Sequence, residues 1–329
     1  MKFVTSRAPS PDGKLMLLSR DSSTVTDVSD IATSMQSALE NWSACEAALQ
    51  LRYQQLNDGE LVHAINVTET ELIAPLPRAW QWLDGSCFMS HGHLMQKAFN
   101  LDQIEGADIY PLVYQGAGDN FSAWNDLIIV ADEAHGADFE GEFGVIVDDV
   151  PMGASPDQAL SAIRLVVLLN DISYRALAPR EMKSGFGFVQ AKGATAFAPV
   201  AVTPDELGNA WCEGRVCLPV EVKRSGEWFG APKGDEMHFG FHQLISHAAK
   251  TRRIKAGTVF GSGTVSNNNA EAGQACIAEL RAKEIIAYGK PITPFLHDGE
   301  TVTISAPDGT GQSPFGEIRQ TVQVENSDV

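Results

Sequence analysis

The sequence is poor in positive charge. It has 24 Lys and Arg residues against 42 Asp and Glu, which gives a formal net charge of −18 at pH 7. Nucleic acids and anionic membranes are bound by basic surfaces, so this balance argues against both as partners. A small anionic substrate remains compatible, because local cations or a bound metal can override the overall field.

Long apolar runs and paired cysteines are also missing. No apolar run of about eighteen residues occurs, so no transmembrane helix is expected, and residues 1–14 lack the apolar core of a signal peptide. The 5 cysteines are scattered and none stands in a C-x-x-C pair, which argues against a zinc site and a disulfide scaffold. They are Cys45, Cys87, Cys212, Cys217 and Cys276. We therefore expect a reduced, cytoplasmic protein.

The composition present is that of a globular protein with a full core, 44% apolar and 20% charged over 329 residues. Residues 1–75 are predicted to form a small N-terminal domain, in which helical spacing predicts a helix over 31–57. The prolines of IAPLPRAW, residues 73–80, mark its end. Residues 76–329 are mostly strand and turn, without the regular alternation of a doubly wound fold. The expected class is mostly β with some α (α+β).

The stretch DFEGEFGVIVDD, residues 138–149, places Glu140 and Glu142 two positions apart in front of an apolar run. On a strand, the two carboxylates would project from one face, about 6.6 Å apart by strand rise. Like charges on one face repel, and burial strengthens the repulsion. Solvent at a wet edge strand or a bound divalent cation would offset it, and these residues alone leave both alternatives open.

Other polar residues interrupt apolar segments. RLVVLLNDIS, residues 164–173, predicts a buried strand that ends at Asp171. Asp171 is either a strand-end turn or cap, or a buried carboxylate that needs a cation or several donors. Carboxylates that converge there would suit magnesium or calcium rather than zinc. Asp84 and His91 stand seven positions apart, and His91 is either a general base or structural. Lys192 is either a desolvated catalytic cation or a surface lysine.

Five motifs in this order resemble the fumarylacetoacetate hydrolase family, and the likeness covers residues 76–329. They are EGE (140–142), NDIS (170–173), AKGATAFAP (191–199), GSGTVSN (261–267) and DGETVTI (298–304). Within the family, the chain is most similar to the bacterial fumarylacetoacetases. The resemblance implies a small N-terminal domain followed by a mixed β-roll or β-sandwich catalytic domain, usually in a homodimer.

The resemblance also implies a set of site residues. The metal, Mg²⁺ or Ca²⁺ with Mn²⁺ possible, would be held by Asp84, Glu140, Glu142 and Asp171. The catalytic residues would be His91 as base, Glu279 to orient it, and Lys192 for the oxyanion. The substrate contacts would be Ser86, Tyr114, Arg175 and Thr264. Ser86 departs from the family, which has tyrosine at that position, and Thr195 remains unassigned.

The activity implied first is metal-dependent hydrolysis of a carbon–carbon bond in a small anionic 1,3-diketo acid. Fumarylacetoacetate would give fumarate and acetoacetate, as in tyrosine and phenylalanine catabolism. An acylpyruvate or fumarylpyruvate hydrolase, or a β-keto acid decarboxylase, would use the same metal chelate. A catalytically silent binding protein is the alternative from another class, and the presence of the His91–Glu279 pair and of all four carboxylates argues against it.

Overall fold

The first part of the chain forms antiparallel strands covered by two helices. In this computed structural model, which describes residues 1–325, its elements follow in chain order. They are β1 (Lys2–Ser6), β2 (Lys14–Leu18), β3 (Thr24–Asp27), α1 (Met35–Glu40), α2 (Trp42–Asn57), β4 (Ile65–Asn66) and β5 (Leu72–Ile73). The last four residues of the predicted catalytic domain, 326–329, lie outside the described residues.

The single helix predicted over 31–57 is wrong in its first half. The chain forms α1 and α2 instead, separated at Asn41, whose backbone leaves the helical region (φ −127°, ψ 28°). The start is also later, because the Ser34 side chain accepts a hydrogen bond from the Ser37 backbone N–H and caps α1 there. Helical spacing located the apolar face but did not detect the break.

The second part of the chain is richer in strands. Its elements are β6 (Trp82–Gly85), α3 (Met89–Phe99), β7 (Val113–Gly116), β8 (Ile128–Val130), β9 (Ala137–Asp138), β10 (Gly141–Val147), α4 (Pro156–Ser161), β11 (Ile163–Asn170), β12 (Ser173–Tyr174), α5 (Ala178–Ser184), β13 (Ala196–Phe197), β14 (Ala201–Val202), β15 (Trp211–Cys212), β16 (Arg215–Val216), β17 (Glu221–Arg224), β18 (Glu227–Gly230), α6 (Phe241–Ala248), β19 (Val259–Gly261), α7 (Ile277–Tyr288), β20 (Thr301–Ser305) and β21 (Glu317–Val324). None of the helices formed by the described residues has the length and apolar character needed to cross a bilayer.

A large mixed sheet joins the two parts of the chain. Its strands follow the order β4-β3-β2-β1-β14-β11-β10-β19-β6-β7, with β5 beside β1 and β13 beside β11. Most pairs are antiparallel, whereas β19 and β6 are parallel. A second sheet has the order β18-β17-β20-β21-β8. The predicted α+β class, with an N-terminal domain and a mixed β catalytic domain, is confirmed. The boundary at residues 75/76 stays a prediction. Strand β1 of the first part pairs directly with β14 of the second part.

The two faces of the large sheet carry separate cores. Every residue of β10 is buried, and side chains alternate across the strand: Val145 packs in the core shared with the second sheet, and Ile146 packs in the core under α1 and α2. The strand predicted to end at Asp171 ends one residue earlier, at Asn170, so that Asp171 lies just beyond β11. Pairing of Gly141 with Asn170 then brings the ends of β10 and β11 together.

Candidate active site

Three buried carboxylates converge on the large sheet. Asp84 lies in β6, Glu142 lies in β10, and Asp171 follows β11 directly. One carboxylate oxygen of each lies within 4.8 Å of the others, and the residues are 2%, 0% and 0% exposed. The strand order β11-β10-β19-β6 brings them together although they are distant in sequence.

The Glu142 carboxylate lacks hydrogen-bond donors. Among residues 1–325, neither of its buried oxygens has a hydrogen-bond partner. Burial, followed by the charges of Asp84 and Asp171, raises the pKa of Glu142 well above its ordinary value. Burial and the charge of Asp171 also raise the pKa of Asp84. A divalent cation would offset these penalties, and an all-oxygen donor set suits Mg²⁺, Ca²⁺ or Mn²⁺. These three residues therefore fit a hard-cation site.

Glu140, the fourth predicted metal ligand, forms hydrogen bonds with two positively charged side chains. Its Oε2 accepts a hydrogen bond from Lys192 Nζ at 3.0 Å, and its Oε1 accepts one from Arg175 Nη2. Burial alone would raise the pKa of Glu140, but the charges of Lys192 and Arg175 hold it below its ordinary value. The strand expected to display it begins one residue later, and Glu140 instead bridges to the backbone of Cys276. Glu140 lies outside the three-carboxylate cluster, and its ligand role stays a prediction.

Lys192 bridges the cluster to Glu140. Its Nζ also donates to Asp171 Oδ2 at 2.5 Å, and its side chain is 12% exposed. Burial would lower the pKa of Lys192, but Asp171 and Glu140 raise it above its ordinary value, so the side chain is an ammonium. The alternative of an exposed surface lysine is wrong. An ammonium has three N–H donors, which leaves one for a ligand oxygen.

Asp171 is also held by two hydroxyl groups. Tyr114 Oη donates to Oδ2 and Thr195 Oγ1 donates to Oδ1, each at 2.7 Å. Tyr114 lies in β7 directly opposite Asp84 of β6. Burial and the charge of Asp171 raise the pKa of Tyr114 well above its ordinary value, which keeps the phenol proton in place for donation. The contact of Tyr114 with substrate stays a prediction.

Asp138 is a buried residue that sequence reasoning missed. Its Oδ1 accepts the backbone N–H of Ile277 at 2.7 Å and its Oδ2 accepts that of Ala278 at 2.9 Å, which satisfies the first turn of α7. Arg175 Nε donates to the same Oδ2 at 2.8 Å. Two donors of Arg175 therefore contact protein carboxylates, and its predicted contact with substrate stays a prediction. The available signal was the alternation of acidic residues in DFEGE.

The predicted His–Glu pair is present. His91 Nδ1 and Glu279 Oε1 are 2.9 Å apart, with side chains 20% and 3% exposed. His91 comes from α3 and Glu279 from α7, and these helices pack together. The pair shares a cluster with Cys276, whose backbone bridges to Glu140, and it therefore lies beside the carboxylates. A partly exposed imidazole held by a buried carboxylate is suited to proton transfer.

The loop that starts at Gly261 lines the cluster. A Cβ at Gly261 would lie 2.2 Å from Asp84 Oδ1, so a residue without a side chain is required there. The Gly263 N–H donates to the same oxygen at 3.2 Å. Thr264 is buried next in this loop, and Ser86 is exposed just beyond β6. Their predicted contacts with substrate remain predictions.

The fold and site define a class of mixed β proteins in which carboxylates suited to a hard cation lie beside a His–Glu pair. The family described as fumarylacetoacetate (FAA) hydrolase C-terminal matches residues 81–323, and fumarylacetoacetase N-terminal domain 2 matches residues 1–78. The chain therefore belongs to the fumarylacetoacetate hydrolase family.

Individual relatives within this family have different names. The chain is 27% identical over 157 residues to a 2,4-didehydro-3-deoxy-L-rhamnonate hydrolase of Sphingomonas sp. (strain SKA58), and this match spans 47% of the chain and only 52% of that relative. It is 22% identical over 255 residues to the oxaloacetate tautomerase YisK of Bacillus subtilis (strain 168), across 76% of the chain and 75% of the relative.

A solved structure shares the fold. The maleylpyruvate hydrolase from Sphingobium sp. SYK-6, solved in complex with manganese(II) and pyruvate, superposes with a TM-score of 0.67 at 13% identity. The superposition covers 99% of this chain and 100% of that one.

Proposed function

We propose that this protein is a metal-dependent hydrolase of a 1,3-diketo acid, with fumarylacetoacetate of tyrosine and phenylalanine catabolism as the first candidate substrate. The observation that carries the proposal is the buried Glu142 carboxylate, which has no hydrogen-bond partner among the described residues and lies beside Asp84 and Asp171. Membership of the family supports a keto acid as substrate. The manganese(II) in the maleylpyruvate hydrolase structure supports a divalent cation at this site.

The steps of this reaction can be assigned to residues of the chain. A divalent cation held by Asp84, Glu142 and Asp171 would polarise the oxygens of a chelating diketo acid when bound. His91, held at Nδ1 by Glu279, accepts a proton from water at Nε2. The hydroxide attacks the substrate carbonyl to form an oxyanion.

Cleavage then needs charge stabilisation and a proton. The third N–H of Lys192 is available to the oxyanion. As the oxyanion collapses, the carbon–carbon bond breaks and its electrons pass to the departing enolate, which takes the proton from His91. The net change is addition of one water molecule across the broken bond. Ser86, Tyr114, Arg175 and Thr264 are our candidates for holding the substrate, and Glu140 remains a candidate ligand.

A tautomerase is the second candidate function. The oxaloacetate tautomerase relative matches three quarters of the chain, and the His91–Glu279 pair can move a proton between carbon and oxygen of a keto acid without water attack. Acylpyruvate and fumarylpyruvate hydrolases and β-keto acid decarboxylases remain alternatives with the same chelating substrate group.

The test measures the loss of fumarylacetoacetate absorbance with the purified protein under three conditions. These are the untreated protein, the protein in EDTA, and the EDTA-treated protein after Mg²⁺, Ca²⁺ or Mn²⁺ is restored. We expect turnover that EDTA abolishes and a cation restores. His91→Ala should lose turnover, while His93→Ala, an exposed residue of the same helix, should keep it. Turnover of enol-oxaloacetate without diketo acid cleavage would reject the hydrolase in favour of the tautomerase, and turnover that resists EDTA would reject the role of the metal.

We also propose a cytoplasmic homodimer. Every residue of α3 is half-buried or exposed, and large apolar side chains from its last residue onward are at least half exposed, namely Phe99, Leu101, Ile104, Ile109 and Tyr110. Such a patch is typical of an association surface. Sedimentation equilibrium should give twice the mass of the chain, and a mass of one chain would reject the dimer.

A further inference from the structure

A second cluster of potential ligands includes a cysteine thiol. His91, Cys276 and Glu279 each place one ligand atom within 4.8 Å of the other two. Cys276 is fully buried and Glu279 is 2% exposed, while the His91 side chain reaches solvent. The donor set is therefore one nitrogen, one sulfur and one oxygen, beside but different from the all-oxygen cluster.

Backbone contacts hold Cys276 and the residue before it in place. Its own backbone bridges to Glu140, and the preceding carbonyl, of Ala275, accepts the N–H of Gly141 at 2.9 Å. The residue is the N-cap of α7, and its side chain makes no capping hydrogen bond there. Cys276 and Glu279 stand at positions i and i+3 at the start of this helix, which places them on the same face. The sulfur and carboxylate ligands are thus held by one rigid element.

The chemistry of these donors selects a cation of a different kind. Thiolate, imidazole and carboxylate together are ligands of Zn²⁺ and similar borderline cations, whereas Mg²⁺ and Ca²⁺ prefer oxygen alone. With bonds of about 2.0–2.3 Å, tetrahedral ligand atoms lie about 3.5 Å apart. His91 Nδ1 and Glu279 Oε1 already lie 2.9 Å apart, and His91 can adjust to a bound cation from its partly exposed position on α3.

We propose that His91, Cys276 and Glu279 form a second metal site, specific for Zn²⁺-type cations, whose occupation inhibits the enzyme. The inhibitory part rests on the proposed function, because a cation there occupies the imidazole and carboxylate assigned to proton transfer. Binding itself does not depend on that function. A motif search for paired cysteines misses such a site, since its ligands come from α3 and from the first turn of α7.

Co²⁺ is a suitable probe because a thiolate bound to it gives a charge-transfer band in the near ultraviolet. The background protein should carry Cys212→Ser and Cys217→Ser, which remove the exposed and the half-buried thiols, and should be saturated with Mg²⁺. We expect one equivalent of Co²⁺ to produce the band. Cys276→Ser should abolish it, while Cys87→Ser, at a buried thiol outside the cluster, should leave it intact.

Two results would overturn the site: no band in the background protein, or an undiminished band in a folded Cys276→Ser variant. If that variant does not fold, His91→Ala replaces it, and an undiminished band there has the same meaning. Glu142→Gln should keep the band, since it alters only the oxygen cluster. These outcomes hold whether or not the protein cleaves any diketo acid.

Inhibition is measured separately, as turnover against added Zn²⁺ in excess Mg²⁺. Cys276→Ala retains His91 and Glu279, so its turnover, normalised to its own rate without Zn²⁺, should resist inhibition. Loss even of an outer-sphere partner costs metal sites about tenfold or more in affinity, so the half-inhibiting concentration should rise by at least about that factor. An unchanged value would reject inhibition through this site even if the Co²⁺ band confirms binding.

Discussion

Replacement of Glu142 by Gln should stabilise the metal-free protein and reduce the stabilisation that a bound metal gives. Gln keeps the shape of the side chain and removes its charge. In the metal-free protein, the wild-type carboxylate is fully buried and has no hydrogen-bond partner among the described residues. A buried polar group in this state costs about 1–3 kcal/mol, more when charged. The amide of Gln can donate to Asp84 or Asp171, so the variant should be more stable by about this amount.

Metal should offset this advantage, because it stabilises the wild-type protein more than the variant. A ligand present at about one hundred times its Kd stabilises the folded state by about 2.7 kcal/mol. If loss of the Glu142 carboxylate raises the Kd about hundredfold, the same concentration stabilises the variant by only about 0.4 kcal/mol. For a chain of this size, about 1 kcal/mol corresponds to about 2 °C in Tm. The wild-type protein should therefore gain about 5 °C from the cation and the variant about 1 °C.

The difference in stability between the wild-type protein and Glu142→Gln in EDTA should also depend on pH. The pKa of Glu142 in the folded protein lies well above its ordinary 4.5, so the unfolded chain releases this proton first as the pH rises. The metal-free folded state thus loses stability as the pH increases above about 4.5 towards the folded pKa. The amide that replaces the carboxyl group in Glu142→Gln has no such proton, and the advantage of the variant should grow from about pH 5 to about pH 8.

The assay is thermal unfolding of both proteins in EDTA and in Mn²⁺, at these two pH values. Glu60→Gln, at an exposed position, controls for the loss of one negative charge and should change neither Tm nor its response to metal. The reasoning is refuted if Glu142→Gln lowers the Tm in EDTA while Mn²⁺ raises the Tm of both proteins equally.

Three further substitutions test the neighbouring contacts. His91→Ala should lower kcat about 10²- to 10⁴-fold while calorimetry still detects Mn²⁺ binding; near-normal turnover would remove His91 as the base. Asp138→Asn loses part of the cap on α7, so it should lower the free energy of unfolding by about 1 kcal/mol and alter the pH profile of kcat, because α7 carries the partner of His91; a changed stability with an unchanged profile would make the role purely structural. Gly261→Ala places a methyl group against Asp84 and should weaken Mn²⁺ binding in calorimetry; unchanged affinity would show that the loop can move away.

The sequence predicted the parts of the site that ordered motifs encode. The fold class and the convergence of Asp84, Glu142 and Asp171 agree with the structure, because the resemblance supplied the fold type and the ligand set that spacing alone does not contain. The contacts of Glu140 with Lys192 and Arg175 could not be predicted from spacing, and its ligand role stays a prediction. The contact of Tyr114 with Asp171 could not be predicted, because it joins segments that the chain visits far apart in sequence.

The alternating acidic residues of DFEGE show what local pattern leaves undetermined. Three carboxylates at alternate positions have the same chemistry, yet Asp138 binds the first turn of α7, Glu140 binds Lys192 and Arg175, and Glu142 has no donor among residues 1–325. Each outcome depends on whether a distant segment of the chain provides a hydrogen-bond partner.

Five buried carboxylates share this region, namely Asp84, Asp138, Glu140, Glu142 and Asp171. Within the described chain, only Lys192 and Arg175 form salt bridges with them. The excess of negative charge lies on the side of Glu142, which is why a divalent cation there would complete the electrostatics of the site.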